Sequence, residues 1–259
     1  MDFKIAYQLY SARDIFDDDM IGVLKKLKDY GYDGVEPAGY YGVDPHYFRG
    51  ICDATGLKVF SIHLSFWTLT ENISDTVRNL KALGCEYAAI PGAFGLFIGE
   101  ERYPYFVKNF TKLGEALASE GITLLYHNHD FELKSKGGER ALEVLYNCFS
   151  PKTVSAELDC GFLLYNGYDP AQTIKRYRGR APVLHLKDFH FNEGVPGDFS
   201  TFACPVGEGE LDLKSILDAA LFAGTKILVV EQDSPSWKGM NEIECAKRSA
   251  DNLLARIGG

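Results

Sequence analysis

A single (β/α)8 TIM barrel is the fold this sequence predicts, and three observations predict it. Short β-type runs alternate with longer amphipathic runs along the whole 259-residue chain, with no break in composition. Eight of these β-type runs carry Gln8, Glu36, His63, Pro91, His127, Asp159, His185 and Glu231 near their ends, 26 to 46 residues apart, each interval holding one strand and one helix. Eight parallel strands in about 250 residues is the size of a closed barrel, here one α/β domain over residues 1–259. An open doubly wound sheet usually announces a glycine-rich phosphate turn after its first strand, and Tyr10-Ser11-Ala12-Arg13 is no such turn.

Taken in order, the first strand is expected at Ile5 to Tyr10, with a helix at Met20 to Tyr30 that stops at Gly31. A strand at Gly34 to Pro37 leads to a helix at Pro45 to Thr55 and Gly56; a third, at Lys58 to Ser65, to a helix at Ser74 to Leu83 and Gly84. Tyr87 to Pro91 and its helix at Pro104 to Ser119 end at Gly121, where Thr123 to His129 begins the second half of the fold. Its helix is Ala141 to Cys148. The sixth strand, Val154 to Asp159, pairs with a helix at Ala171 to Arg178, and the seventh, Val183 to Asp188, with one at Leu213 to Leu221 and Gly224 after the longest loop. Lys226 to Asp233 is the eighth, and Ile243 to Ile257 closes the pattern at Gly258.

Composition narrows the function. With 46% hydrophobic residues the chain buries a sizeable core, and disorder is excluded. Its 36 acidic against 27 basic side chains give a net charge of -9, which repels phosphate backbones and anionic lipid, so neither nucleic acid nor a membrane is an expected partner. No apolar run approaches the roughly 18 residues of a spanning helix, and Met1-Asp2-Phe3-Lys4-Ile5 lacks the layout of a signal peptide; the expected location is cytoplasmic. Six cysteines (52, 85, 148, 160, 204, 245) form no C-x-x-C pair and read as buried, reduced thiols.

Barrel strands are apolar on both faces, so polar side chains near their C-terminal ends stand out. With period two, His127 and His129 share a face, as do Glu157 and Asp159, His185 and Lys187, Glu231 and Asp233, and Ser61, His63 and Ser65. Intervening residues such as Leu158, Leu184, Leu186 and Val230 are apolar and suit the helix-facing side. One such polar residue is readily a hydrogen-bonded core group. Four consecutive strands ending in His127, Asp159, His185 and Glu231 on the inward face would bury charge at large cost unless a cation sat among them. Oxygen and imidazole donors without thiolate suit one divalent ion, Mn²⁺ or alternatively Mg²⁺, Co²⁺ or Zn²⁺.

The runs Gly31-Tyr-Asp-Gly-Val-Glu36-Pro, Tyr126-His-Asn-His-Asp-Phe-Glu132, Glu157-Leu-Asp159, Gly179-Arg-Ala-Pro-Val-Leu-His185-Leu-Lys-Asp188, Val206-Gly-Glu-Gly-Glu210 and Val230-Glu231-Gln-Asp233 are the most distinctive in the chain. Together they resemble the xylose isomerase-like sugar phosphate isomerase/epimerase family over essentially the whole chain. The resemblance implies a metal held by Glu, Asp, His and Glu from strands five to eight, the two Glu also moving protons; Asp159, His185 and Glu231 match the last three. The first position departs, because His127 stands where the common Glu-Asn-His run has its Glu, leaving His127 or His129 as the strand-five ligand. Asp159 is followed by Cys160-Gly161-Phe162, so the histidine many members place at the last of these positions is also missing.

An imidazole in place of a carboxylate raises the charge of such a site by one, makes the ion a stronger Lewis acid, and removes one proton-transfer group. The activity implied is a metal-dependent sugar isomerase or epimerase that abstracts a proton next to a carbonyl through an enediolate, with Glu231 as ligand and base. The alternative is a lyase or dehydratase of a keto sugar or keto-inositol, with Lys187, His129 or His63 as the acid for the leaving group; His127 and Lys187 are the further catalytic candidates. A repair endonuclease of the same superfamily is disfavoured by net acidity and only 6 histidines, and a non-catalytic sugar-binding subunit by the intact Asp159, His185 and Glu231.

Substrate contacts are expected from Glu36, whose structural reading is a partner for Arg13, and from His63, His129 and Trp67, an aromatic that either stacks on a sugar or packs in a lid. Lys187 either contacts substrate or neutralises an acidic site; Asp188 and Asp233 orient ligands or cap segments; Gly207-Glu208-Gly209 reads as a lid turn. Barrels often hold phosphate in the loops after strands seven and eight. Here those loops carry Glu193, Asp198, Glu208, Glu210 and Asp233 against Lys238 alone, so the expected substrate is a small unphosphorylated carbohydrate. The resemblance also implies a homodimer, since barrels of this type often pair.

Overall fold

The computed structural model describes residues 2–92, 103–136, 139–191, 203–234 and 236–258. Glu193 and Asp198 of the seventh loop lie outside these residues. Eight parallel strands form the core: β1 (Lys4–Gln8), β2 (Gly34–Glu36), β3 (Lys58–Val59), β4 (Tyr87–Pro91), β5 (Thr123–His127), β6 (Val154–Asp159), β7 (Val183–Leu186) and β8 (Ile227–Val230). They follow one another around the sheet, and β8 returns to pair with β1. The ring closes between β3 and β4, where the Ala89 amide donates to Ile62 O at 2.8 Å and the Leu64 amide to Ala89 O at 3.0 Å. The predicted TIM barrel is the fold observed.

Among the described residues, eight helices follow the strands in turn and cover the outside: α1 (Met20–Asp29), α2 (Pro45–Thr55), α3 (Ile73–Leu83), α4 (Tyr103–Ser119), α5 (Ala141–Asn147), α6 (Pro170–Arg176), α7 (Leu213–Ala223) and α8 (Glu242–Ile257). Their ends follow from local chemistry. Asp44 and Asp169 cap α2 and α6 ahead of a first-turn proline, and Asn241 and Glu244 form a reciprocal capping box on α8. Gly56, Gly84 and Gly224 turn α2, α3 and α7 off in the left-handed region, at φ of 78°, 70° and 82°. Among the described residues no helix is long and apolar enough to cross a membrane. All six cysteines lie among the described residues as thiols outside any disulfide, and Cys148 alone is not fully buried.

Strand alternation divides the core in two. Side chains such as Tyr7, Val35, Ile90, Leu124, Leu158, Leu184 and Val230 pack outward against the helices. Ala6, Phe60, Tyr87, Ala89, Leu125, Val183, Ile227 and Val229 form a separate apolar plug inside the barrel. One period beyond Ala6, Leu125, Val183 and Val229 come Gln8, His127, His185 and Glu231, and Glu36 of β2 and Glu157 of β6 join them, all buried. The C-terminal half of the barrel interior is therefore polar.

β4 and β6 end where expected, at Pro91 and Asp159, and the other six strands stop short of their expected C-terminal ends. His129, Lys187, Glu231 and Asp233 lie beyond the last paired residues, and β3 stops at Val59 rather than Ser65. At β3 the reason is an irregularity: Phe60 O accepts from both the Glu86 and Tyr87 amides, Phe60 enters the plug, and the next residue, Ser61, also turns inward to Glu36. His63 rejoins the ladder by isolated bridges to Ala38 and Ala89. At β7, Asp188–Phe189 leaves the barrel to pair antiparallel with Ala203–Cys204.

Candidate active site

Parallel pairing sets the site residues side by side: His127 is in register with Glu157, and Asp159 with His185. One donor atom from each of His127, Asp159, His185 and Glu231 lies within 4.8 Å of the others. Two donors sharing an ion at about 2.0–2.2 Å stand at most about 4.4 Å apart, so the four fit a single cation with little movement. The Asp159 Oδ2 atom is buried without a hydrogen bond, 3.8 Å from His127 Nε2 and 3.7 Å from Lys187 Nζ. An unsatisfied carboxylate oxygen in this place is what a cation site requires. Asp159 Oδ1 is already used, accepting from the Phe162 amide at 2.8 Å, which aims Oδ2 at the cluster.

Beneath these four lies a second polar group. Glu36 is fully buried; Oε1 accepts from Gln8 Nε2 at 2.7 Å and lies 2.7 Å from His185 Nε2 and 2.9 Å from His63 Nε2, while Ser61 donates to Oε2. His63 Nε2 also lies 2.6 Å from Glu157 Oε2. The His63 and His185 rings stack at 5.1 Å.

The charges sort by environment. Burial disfavours the His63 cation, but Glu36 and Glu157 outweigh it and raise its pKa to about 9; the same carboxylates hold His185 well above the usual histidine value. Burial, with His185 and His129 adding to it, holds His127 well below that value, so its approaches to Glu157 and Asp159 are not ion pairs. Burial and then Lys187 bring His129 down to about 3. Burial raises Asp159 to about 7 against Lys187 and His185. Burial opposes the charge of Glu231, but Lys187 and His185 hold it ionised, below the usual carboxylate range. Lys187 is likewise held charged, against burial, by Asp233, Glu231 and Asp159; its Nζ lies 3.0 Å from Asp233 Oδ1 and 3.2 Å from Glu231 Oε2, over the Phe162 ring.

Above the cluster opens a cavity of about 520 Å³ whose polar wall includes His63, His127, His129, Lys187, Glu231 and Asp233. Two expected substrate contacts are placed elsewhere. Glu36, 0% exposed, lies below the cavity and bonds to Gln8, Ser61, His63 and His185 rather than to Arg13, whose guanidinium instead holds Tyr10 O and Asp233 O. Trp67, 54% exposed, meets Phe66 and Phe106 edge-on and is not among the cavity-lining residues. Asp188 caps its own loop: its carboxylate accepts from the amides of Phe189, Gly207, Gly209 and Leu211 at 2.8–3.0 Å. The turn Gly207-Glu208-Gly209 is wrapped on that carboxylate, and a Cβ at Gly209 would stand 2.3 Å from Asp188 Oδ1. The sequence places Glu157 on the inward face, two residues before Asp159, without pointing to a role; its register with His127 emerges only in the structure.

Comparison with known proteins agrees with this architecture. A family model described as a xylose isomerase-like TIM barrel matches residues 24–255. An inosose dehydratase of Geobacillus kaustophilus is 25% identical over 272 aligned positions, covering 91% of this chain and 87% of that protein. A crystal structure of a sugar phosphate isomerase/epimerase from Parabacteroides distasonis superposes with a TM-score of 0.81 at 23% identity, covering 98% and 94% of the two chains. The IOLI protein, crystallised with a bound zinc atom, superposes at 0.76 and 16% identity over 99% and 98%.

Proposed function

Because this chain belongs to the xylose isomerase-like TIM-barrel family, we propose that it is a divalent-metal-dependent enzyme that removes water from an unphosphorylated keto sugar or keto-inositol. The observation that carries the reading is the cavity wall: Glu231 and the Lys187 ammonium, 3.2 Å apart, adjoin the His127, Asp159, His185 and Glu231 cluster. His127, Asp159, His185 and Glu231 would hold the ion, which when bound neutralises the carboxylates and polarises the substrate carbonyl. Mn²⁺ suits these donors, as does the Zn²⁺ of the structural neighbour.

In this reading Glu231 takes the proton from the carbon next to the carbonyl. The electron pair left behind forms the carbon–carbon double bond as the neighbouring C–O bond breaks, and the departing hydroxide takes a proton from Lys187 or His63 to leave as water. His129, neutral and lining the cavity, orients the substrate by hydrogen bonding. A scheme that removes and returns a proton on opposite faces needs a second base across from Glu231, and position 127 offers a buried imidazole in place of a carboxylate. The names of the curated relatives support elimination. Free hydroxyls rather than a phosphate suit the seventh loop, because the amides of Gly207, Gly209 and Leu211 are committed to Asp188 and Glu208 is paired with Arg248 at 2.9 Å.

A second reading, a sugar isomerase or epimerase, draws on His129, which lines the same cavity as Glu231 and sets a second side chain with a ring nitrogen beside the substrate space. Incubation with free keto-inositols and keto sugars and Mn²⁺ in deuterated water separates the two. An unsaturated product and released water are expected; deuterium uptake without loss of water would establish the second reading instead.

A further inference from the structure

Each imidazole of the candidate metal cluster has a nitrogen turned away from the other proposed ligands, and a carboxylate outside that set faces each of these nitrogens. His185 Nδ1 is on the Glu231 side at 2.8 Å, and Nε2 is 2.7 Å from Glu36 Oε1. His127 Nε2 is on the Asp159 side, and Nδ1 is 3.4 Å from Glu157 Oε2. His127 Nδ1 and Glu157 Oε1 are both buried without a hydrogen bond, on residues in direct register across β5 and β6. A ring nitrogen and a carboxylate oxygen are thus left unsatisfied on adjacent side chains in a part of the core where either alone is costly.

The geometry points to Glu157 and Glu36 as positioning residues: Glu157 takes the Nδ1–H of His127, Glu36 takes the Nε2–H of His185, and each fixes the tautomer that offers the other nitrogen's lone pair to the cation. This rests on the proposed ligand set. Carboxylates behind ligating imidazoles set ring orientation and raise donor strength. Glu157 also restores, behind the ring, the negative charge lost where an imidazole stands at position 127. Glu36 is itself fixed from both sides, by Gln8 and Ser61.

His63, His127, Glu157 and His185 also bring donor atoms within 4.8 Å of one another. Their contacts do not favour a second ion, however. His63 Nε2 lies 2.6 Å from Glu157 Oε2 and 2.9 Å from Glu36 Oε1, so its proton is shared between two carboxylates and that nitrogen offers no lone pair to an ion.

The test is calorimetric titration of chelator-stripped full-length protein with Mn²⁺, with ¹⁵N-histidine NMR of the Zn²⁺-loaded wild type. The wild type is expected to take one ion per chain, and Glu157→Gln and Glu36→Gln to bind it roughly 10- to 100-fold more weakly. Glu157→Leu, which removes the acceptor as well as the charge, should bind it more weakly still. The NMR spectra should show protonated Nδ1 on His127 and protonated Nε2 on His185, a readout that needs no variant to fold. Wild-type affinity in both Gln variants, or the opposite tautomers, would overturn the assignment while leaving the ligand set standing. Two ions per wild-type chain, one of them lost in Glu157→Gln, would make Glu157 a ligand and also overturn it. A wild type that binds no divalent ion would sink the ligand set itself.

Discussion

Phe162 occupies the position where the family resemblance led us to look for a histidine, and it does two things for its neighbours. Its amide fixes Asp159, and its ring lies 4.6 Å from the Lys187 ammonium. Lys187→Met is expected to lower turnover by at least roughly 100-fold while Mn²⁺ still binds, because the ligand carboxylates remain; steady-state kinetics beside a metal titration reads both. Glu132 offers a separate measurement. It is buried, bonded to the Tyr126 hydroxyl and the His129 amide, and burial raises its pKa from 4.5 to about 7. Between these values the unfolded chain releases the proton that the folded chain keeps, so Glu132 makes stability fall as pH rises. Glu132→Gln lacks that loss, and its stability relative to wild type should rise by about 3 kcal/mol between pH 4.5 and 7.5, as read by urea unfolding. An unchanged difference would show that burial does not perturb this carboxyl. At this scale the sequence was most informative about which residues turn inward, since period two fixes that. It could not show that Glu36 is sealed off from the cavity, which depends on how deep each strand sits.

At the scale of elements, two glycines make opposite predictions. Gly161 lies in the first turn of a short helix, Cys160–Tyr165, that follows β6, where a Cβ would stand 2.5 Å from Lys187 O and 2.7 Å from Lys187 Cβ. Gly161→Ala should cost about 1–3 kcal/mol and displace the lysine, so activity falls with stability. Gly50, exposed in α2, has nothing within 4 Å of its added Cβ, and Gly50→Ala should gain up to about 1 kcal/mol with activity unchanged. Thermal unfolding of the two variants tests both signs. Helix ends were legible because Gly56, Gly84 and Gly224 carry a conformational signature that other residues rarely adopt. The third strand was not: the inward turn of both Phe60 and Ser61 depends on how β4 docks, and no local pattern encodes it.

For the whole molecule, the interval between strand ends foretold the barrel, because a parallel ladder needs a crossover between every pair of strands. Cation binding should be visible in the stability of that barrel. At a free Mn²⁺ concentration of 100 times Kd the gain is about 2.7 kcal/mol. In a chain of this size that raises Tm by roughly 5–10 °C, and excess chelator should abolish the rise in a calorimetric scan. Among the described residues the apolar plug of Ala6, Phe60, Tyr87, Leu125 and Val229 lies directly below the buried histidines and carboxylates. Traffic of water and hydrons to that chamber is thereby steered through the mouth where a sugar would sit. An occupant of the mouth would cork the chamber, leaving a captured hydron to return to the sugar or wait for the product to depart.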